Sequence, residues 1–457
     1  MRINNNIQAL NAYRNLSINH SKTAKNLEKL SSGLRINRAA DDAAGLAISE
    51  KMRSQIRGLK QAERNSMDGI SLMQTAEGAL QEVHAMLQRM RELAVQAAND
   101  TNTQFDREQI QKEIEQLKLE IDSISEKTEF NTRKLLNGSS AVLTVLSTNG
   151  TNLVKDPKVV DPSLKTGKYE VEIEVVSGAQ VEITQHGGNL KTIELNDSAS
   201  AMAFGEYTID IRDVNLEENT ATIKVWGPDG RLIQTLAVGI GASGSDSQVV
   251  GGLKLDTTEI DRAGTVKVRI EAKVKVTLSK EVDTNKVQPI ASTRTYTTNN
   301  GIVRHGGVEF EFRTNLASGT TQFDLTNNAL AFQIGPNTDQ SVMIDIPQMN
   351  IVELGIESIK VTTHDEANEA IFLIDKAINI LSDVRAKLGA TQNRLEHTIN
   401  NLQVTHENLT ASESRIRDAD MALEMTEFTR NNILNQSATA MLAQANQLPQ
   451  GVLQLLQ

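Results

Sequence analysis

The feature that most constrains this chain is a heptad pattern over residues 374–409. Apolar or threonine side chains recur there at alternating spacings of three and four: Ile374, Ala377, Leu381, Val384, Leu388, Thr391, Leu395, Thr398, Leu402, Thr405 and Leu409. This spacing predicts one helix, about 50 Å long, that buries a narrow stripe against partner helices. Because threonine interrupts the stripe, the helix is not expected to stand alone.

Amphipathic helices are also expected at the two ends of the chain. The first ends near Gly33, since glycine is the usual C-terminal stop, and the last covers about 419–446 after a break at 411–418. The apolar positions of these terminal helices and of the tail are Leu16, Leu27, Leu30, Leu34, Leu434, Met441, Leu448, Val452, Leu453, Leu455 and Leu456. The N-terminal helix could lie on the surface of a globular domain or serve as an interaction arm. The arm is favoured, because the uncharged apolar tail at the other end also needs a partner.

Two long helices are expected between the N-terminal arm and the middle of the chain, over about 45–99 and 106–126. Asp41 and Asp42 precede the first of them and suit the positive end of its dipole. Both helices carry apolar stripes at heptad spacing, and the first would be about 80 Å long.

Residues 140–350 change from a helical period to a period of two. Val266 to Leu278 alternate apolar with mostly charged side chains, and 169–175 do the same. Such alternation is typical of strands with one face in water. Residues 226–230, with the sequence WGPDG, predict a hairpin turn. The middle of the chain therefore holds one or two small antiparallel β domains.

Several classes of function are excluded or disfavoured by composition. The 457-residue chain has no cysteine, which excludes disulfides, thiolate metal sites and thiol catalysis. Its net charge of -11 argues against a nucleic-acid binder. No apolar run approaches the roughly 20 residues that span a bilayer, so no membrane partner is expected. The N-terminus also lacks the apolar core of a signal peptide, so export would use another route.

No catalytic, cofactor or metal site is predicted. Glu170, Glu172 and Glu174 share one strand face, but a solvated face is the better interpretation. His186 and His305 each precede Gly-Gly, and both are interpreted as hairpin turns because paired glycines supply positive φ. The chain is therefore not expected to be an enzyme.

Both ends of the chain resemble bacterial flagellins. The matching motifs, in family order, are MRIN (1–4), LSSGLRI (30–36), RAADDAAGLAI (38–48), LAVQAAN (93–99), RAKLGA (385–390), NRL (393–395), SRIRDAD (414–420) and LPQGVLQLL (448–456). FQIGPN (332–337) is similar to the hairpin that packs on the family's helical rod, with Pro336 as a departure. The zinc-protease motif that some flagellins carry, His-Glu-x-x-His, is absent from the sequence.

The resemblance implies an α+β multidomain protein. A long α-helical coiled-coil rod would be formed by both chain termini and interrupted by an antiparallel β-rich central insertion. The expected domains are terminal arms at 1–44 and 412–457, a rod at 45–139 and 327–411 with a hairpin near 330–346, and an outer domain at 140–326.

The resemblance also implies a function and partners. The chain would be a structural subunit that self-assembles into the flagellar filament used for swimming; the alternative is a hook–filament junction protein of the same architecture. Implied partners are other copies, an export chaperone on the C-terminal arm, filament cap and hook-junction proteins, and a Toll-like innate immune receptor. The receptor-binding residues would be Arg89, Leu93, Gln96 and Glu113, which could also serve packing between subunits. The chain would be secreted unfolded into the extracellular flagellum.

Overall fold

A computed structural model describes residues 6–147, 154–190, 192–196, 202–245, 248–283 and 286–454, with side chains omitted at 155–156, 242, 282–283, 286–287 and 448–454. This part of the chain contains the helices α1 Ile7–Ser32, α2 Ala43–Ala97, α3 Gln104–Lys127, α4 His364–Arg417 and α5 Met421–Gln454, and a short 3-10 helix at Gly241–Ser243. The strands are β1 Glu129–Phe130, β2 Arg133–Lys134, β3 Val142–Leu146, β4 Lys155–Val159, β5 Gly167–Gln185, β6 Ile193–Leu195, β7 Gly205–Asn215, β8 Thr220–Trp226, β9 Leu232–Gly239, β10 Gln248–Val250, β11 Leu253–Leu255, β12 Gly264–Asp283, β13 Lys286–Pro289, β14 Arg294–Thr298, β15 Ile302–His305, β16 Val308–Glu311, β17 Gly319–Asn327, β18 Leu330–Gln333 and β19 Ser341–Ile344.

The sequence predicts the end of α1 correctly, but not the ends of α4 and α5. Gly33 ends α1 in the left-handed conformation, with φ of 72°, and its N–H donates to the carbonyl of Lys29. The predicted break at 411–418 is wrong, because α4 continues to Arg417. That segment has neither glycine nor proline, and Arg415 and Arg417 in the last turn suit the negative end of the helix dipole. The last helix also extends to Gln454, beyond the expected end near 446.

The predicted heptad stripe of α4 is confirmed over most of its length. Ile374, Ala377, Leu381, Val384, Leu388, Leu395 and Leu402 are each at most 9% exposed. Thr391 and Thr398 are half-buried, and Thr405 is exposed. The buried stripe also includes Ala367 and Ala370, which precede Ile374, and it fades after Leu402.

Leu388→Asp is expected to lower the free energy of unfolding by on the order of 3–5 kcal/mol, because it places an unpaired charge in this stripe. Leu388 is 3% exposed, whereas its neighbour Lys387 is exposed. Lys387→Asp is therefore the matched control, with a change of about 0.5 kcal/mol. Denaturant unfolding of the purified monomer measures both, and equal losses would show that the stripe is misassigned.

The chain divides into two compact units. One contains Met1–Gln74, Ala331–Val342 and Ala386–Gln457, and the other contains Thr75–Leu330 and Met343–Arg385. In the first unit, α1 and α5 run antiparallel, since Asn6 reaches Ala445 and Lys29 reaches Glu424. The unit boundary falls within both α2 and α4.

A joint of backbone hydrogen bonds connects the inner ends of α1 and α5 in the first unit. The N–H of Arg35 donates to the carbonyl of Arg417 at 2.7 Å, and that of Ala419 donates to Gly33 at 2.9 Å. Leu34 and Asp418 form an antiparallel bridge between these bonds. Both chain segments therefore turn at the same place, where each leaves its terminal helix.

The tip of the β18–β19 hairpin lies against α2 in the same unit. Asn65 donates its side-chain amide to the carbonyl of Gln333 at 2.9 Å. A Cβ added at Gly58 would lie 2.9 Å from the Cβ and 3.2 Å from the Cα of Pro336. Gly58 thus leaves the space that Pro336 fills.

Gly58→Ala is expected to lower the free energy of unfolding by about 1–3 kcal/mol, because Pro336 and its backbone must move. Gly78 lies in α2 and Gly389 in α4, and an added Cβ at either would meet nothing within 4 Å. Alanine at these two positions should raise stability by up to about 1 kcal/mol through helix propensity alone. Melting temperatures of the three purified variants test this; a stabilising Gly58→Ala would contradict the contact.

The second unit contains an antiparallel sheet built around β12. The strand order is β3-β17-β5-β12-β7-β8-β9, and β13 and β14 also pair with β12. One edge of β12 pairs with β5, and the other pairs in turn with β7, β14 and β13. Two smaller sheets have the orders β10-β11-β6 and β15-β16-β4.

The alternation predicted for this region is confirmed. The apolar side chains of β12 are at most 2% exposed and lie in the core: Val266, Val268, Ile270, Ala272, Val274, Val276 and Leu278. The turn at 226–230 joins β8 to β9 in a hairpin, as predicted.

Only one of the two predicted His-Gly-Gly hairpin turns is correct. Gly306 and Gly307 have positive φ and join β15 to β16. After His186, in contrast, the chain leaves β5 for β6, which pairs with β11 in another sheet. The same His-Gly-Gly sequence therefore forms a hairpin turn in one place and begins a connection between two sheets in the other.

The two ends of the β-rich segment lie side by side. Asn327 is in register with Val142, and the N–H of Asn328 donates to the carbonyl of Ala141 at 3.2 Å. The chain therefore enters and leaves this segment at one place.

Candidate functional site

The candidate site is the surface of the paired terminal helices, called here the arms: α1 (Ile7–Ser32) and α5 (Met421–Gln454). The less exposed side chains recur at spacings of three and four on both arms, so that one face of each helix turns toward the other. These positions form the arm seam: Asn6, Ala9, Ala12, Leu16, Asn19, Thr23, Asn26 and Leu30 on α1, with Glu424, Phe428, Asn431, Asn435, Ala438, Leu442 and Ala445 on α5.

The arm seam is held by polar contacts along its length. Asn6 donates its side-chain amide to the carbonyl of Ala445 at 2.8 Å. Asn435 donates to the hydroxyl of Thr23 at 2.8 Å. Lys29, which flanks the seam between Asn26 and Leu30, places its ammonium 2.8 Å from a carboxylate oxygen of Glu424. Intrachain pairing thus depends on directed hydrogen bonds as well as on small apolar side chains.

The large apolar side chains of the arms lie mainly on the other faces. The most exposed are Ile7, Leu10, Tyr13, Ile18 and Leu27 on α1, and Met421, Leu423, Met425, Ile433, Leu434 and Met441 on α5, each between 43% and 65% exposed. Isolated exposed apolar residues are ordinary, but two neighbouring helices that expose this many mark an interaction surface.

Some of the arm residues predicted from the sequence are half-buried, and others lie on the outward faces. Leu16, Leu30 and Leu34 are half-buried. Leu27, Leu434 and Met441 are exposed, so they lie on the outward faces of the arms and not in the arm seam. Leu448, Val452 and Leu453 lie where only the backbone is described, and Leu455 and Leu456 lie outside the described residues.

Sequence reasoning missed the asparagines of the arm seam. Asn19, Asn26, Asn431 and Asn435 follow the heptad spacing, but attention to apolar and threonine positions alone passes over them. The spacing of asparagines at 19 and 26, and again at 431 and 435, was the available signal.

A buried arginine supports the base of the arms. Arg417 is 9% exposed, and its guanidinium lies 2.6 Å from a carboxylate oxygen of Glu50. The hydrogen bond from Arg417 holds the pKa of Glu50 below its usual value. Because Arg417 also accepts from Arg35 through its carbonyl, this pair connects α2 to the joint between the arms.

The four residues that the family resemblance implies for receptor binding lie in the second unit, and not all of their side chains are accessible. Arg89 on α2 lies 2.9 Å from a carboxylate oxygen of Glu113 on α3, and this hydrogen bond, with a second to Glu92, raises the pKa of Arg89. Gln96 is exposed. Leu93 is only 2% exposed, so its side chain belongs to the packing beneath this surface.

Glu174, which was considered as part of a possible cation site, forms an ion pair between neighbouring strands. Glu174 lies 2.7 Å from Lys275 on the neighbouring strand and raises the pKa of that lysine. In the described ranges, no three His, Cys, Asp or Glu side chains are grouped to hold a metal ion. No helix in the described residues has the length and apolarity to cross a membrane.

Comparison with known proteins identifies the family. The bacterial flagellin N-terminal helical region matches residues 3–141, and the bacterial flagellin C-terminal helical region matches residues 371–456. A flagellin of Clostridium tyrobutyricum is 41% identical over 98% of this chain and its own full length. The chain belongs to the bacterial flagellin family. A flagellin of Bacillus subtilis is 39% identical over the full length of both chains.

Among solved structures, a flagellar hook associated protein-3 from Legionella pneumophila is 14% identical. That likeness covers 80% of this chain and 98% of the other, with a TM-score of 0.34. The two relatives named above, which match over their full length, are both flagellins. As a flagellin, the chain is a structural subunit of the extracellular flagellar filament that serves motility.

Proposed function

We propose that the paired arms α1 and α5 are the device by which this flagellin polymerises. The supporting observation is the division of their surfaces: the faces that meet within one chain are largely polar or small, while the large apolar side chains point away. Apolar area that one chain leaves in water is stabilised when another copy covers it. A contact between different faces of identical subunits does not close on itself and grows into a helical fibre.

The proposal assigns a role to each part of the chain. The terminal segments 1–44 and 412–457, which contain the arms, form the filament core. The segments 45–139 and 327–411 form the surrounding rod, and 140–326 form the outer domain. Catalysis has no part in this function, and no cofactor is needed.

Removal of residues 1–36 or 420–457 is expected to leave a soluble monomer with folded long helices that does not elongate seeds. Sedimentation after seeding with filament fragments measures this, and circular dichroism checks the fold. Long filaments formed by either truncated chain would overturn the proposal.

A second test keeps the full-length chain and changes only exposed apolar side chains of α1. Leu10 and Tyr13 are each 63% exposed, so Leu10→Ser with Tyr13→Ser should slow seeded elongation without changing the fold of the monomer. Gln8 and Asn11 are exposed polar neighbours on the same helix. Gln8→Ser with Asn11→Ser is the matched control and should elongate nearly as fast as the parent chain.

The proposal extends to export and to the ends of the filament. A chain without disulfides can pass unfolded through a channel about one helix wide, as the family resemblance implies, and the flagellar secretion route would deliver it. The exposed apolar side chains of α5, such as Leu423 and Ile433, suit an export chaperone that covers the C-terminal arm before assembly. Filament cap and hook-junction proteins would meet the same arms at the two ends.

A Toll-like innate immune receptor is a further proposed partner, through the surface that contains Arg89, Gln96 and Glu113. Arg89→Ala and Glu113→Ala should weaken receptor activation by the soluble monomer and leave its helicity intact. Arg91 and Asp375 form another exposed ion pair in the same unit, at 2.6 Å, so alanine at these positions is the control. A reporter assay with unchanged dose response for both Arg89→Ala and Glu113→Ala would overturn this assignment.

The β-rich segment is proposed to be dispensable for polymerisation. Its entry and exit adjoin at Ala141 and Asn328, so a short Gly/Ser linker in place of residues 141–325 can close the gap. The deletion protein should be exported and form thinner filaments with the same subunit lattice, although with lower heat resistance if neighbouring segments touch. If the folded deletion protein fails to elongate seeds, the segment belongs to the assembly machinery.

A further inference from the structure

The arm seam contains buried polar groups that an apolar coiled coil would not need. Asn26, Glu424 and Asn431 are only 5% to 8% exposed. The amide nitrogen of Asn26, one carboxylate oxygen of Glu424 and the amide oxygen of Asn435 have no hydrogen-bond partner. Buried polar groups weaken a helix pair when they lack partners, so the seam is not built for maximum stability.

The three polar contacts of the seam are spread over nearly the whole of α1. They join Asn6 to Ala445, Thr23 to Asn435 and Lys29 to Glu424, each at 2.8 Å. A slip of one heptad moves one helix by about 10 Å along the other, which breaks all three contacts at once. The apolar side chains of the seam are mainly alanine and leucine, which make no directed contacts that would distinguish one register from another.

We propose that Asn26, Lys29, Glu424 and Asn431 fix the antiparallel register of α1 on α5. A single polar residue at a core position is known to specify the register of coiled coils at a cost in stability. This inference rests on the proposed function, because register matters when the outward apolar faces of both arms must present one common surface to other copies. The four side chains are positioning residues for assembly.

Register is already constrained at one end by the joint at Gly33 and Ala419. From Gly33 to Asn6, however, α1 extends about 40 Å away from this joint. The exposed side chains Leu10 and Tyr13 lie in the distant part of the helix. The polar groups next to the joint set the register where the pair begins, and the hydrogen bond from Asn6 to Ala445 holds the far end of the arm.

Cysteine pairs can report the register directly, because the natural chain has no cysteine. Thr23→Cys with Asn435→Cys reports the observed register. Thr23→Cys with Phe428→Cys, or with Leu442→Cys, reports a slip of one heptad in either direction. Full-length variants are assembled on seeds and mildly oxidised, and intrachain cross-links are separated from interchain ones by electrophoretic mobility.

In the otherwise natural chain, only the Thr23–Asn435 pair should cross-link within a chain. Combination with Asn26→Leu and Asn431→Leu should lower that yield and produce cross-links in the slipped pairs. Leucine has the higher helix propensity, so a lost helix would not explain this result. Asn15 and Asn432 are exposed on the same helices, and leucine at both is the matched control that should keep one register.

Charge reversal provides a second test that does not depend on the leucine variants. Lys29→Glu alone and Glu424→Lys alone should each slow seeded elongation, and the two together should restore much of the rate. Rescue by the reversed pair would show that the two side chains act through their mutual contact, and the cysteine pairs show whether that contact sets the register.

Two results would overturn the inference. One is a single register in the Asn26→Leu, Asn431→Leu chain, which would mean that the joint alone sets the register. The other is a doubly reversed chain that elongates no faster than the single variants. Either result leaves the proposed function intact, because that function is tested separately by the chains that lack an arm and by the Leu10→Ser, Tyr13→Ser chain.

Discussion

The structure of the first unit depends on one antiparallel contact, that of α1 with α5. Its inner faces are joined by small side chains and by hydrogen bonds such as that from Asn435 to Thr23, while its outer faces expose side chains such as Tyr13 and Ile433. Amphipathic helices in proteins owe most of their stability to the packing of one face in the folded structure. Under the proposed function, the apolar outer faces of the pair are stabilised where other copies cover them.

The rest of the chain positions this contact. The joint at Gly33 and Ala419 turns both segments out of the arms at one point, and Arg417 secures it to α2 through Glu50. Beyond it, the buried stripe of α4 and the close approach of Pro336 to Gly58 fix the helices that follow. The β-rich segment begins and ends at adjacent strands, as its proposed dispensability for polymerisation requires.

Much of the fold could be predicted because its signals are local and periodic. The stripe from Ile374 to Leu402 and the alternation along β12 are direct consequences of helix and strand periods. The continuation of α4 to Arg417 was missed because a polar, charged stretch resembles a loop in composition although it contains only helix-compatible residues. The partner of β6 could not be predicted, because the sequence of the preceding turn does not determine which strand β6 pairs with. The asparagines of the arm seam were missed because heptad positions were sought only among apolar and threonine residues.

The most direct test of the central claim is a reconstruction of the assembled filament at side-chain resolution. We expect α1 and α5 to keep the pairing of Thr23 with Asn435 and of Lys29 with Glu424 within each subunit. Leu10, Tyr13, Ile433 and Met441 should then be covered by other copies. The account would be contradicted if these four side chains faced solvent in the filament. It would equally be contradicted if the arms separated and each paired, through the face that carries Asn26 or Asn431, with an arm of another copy.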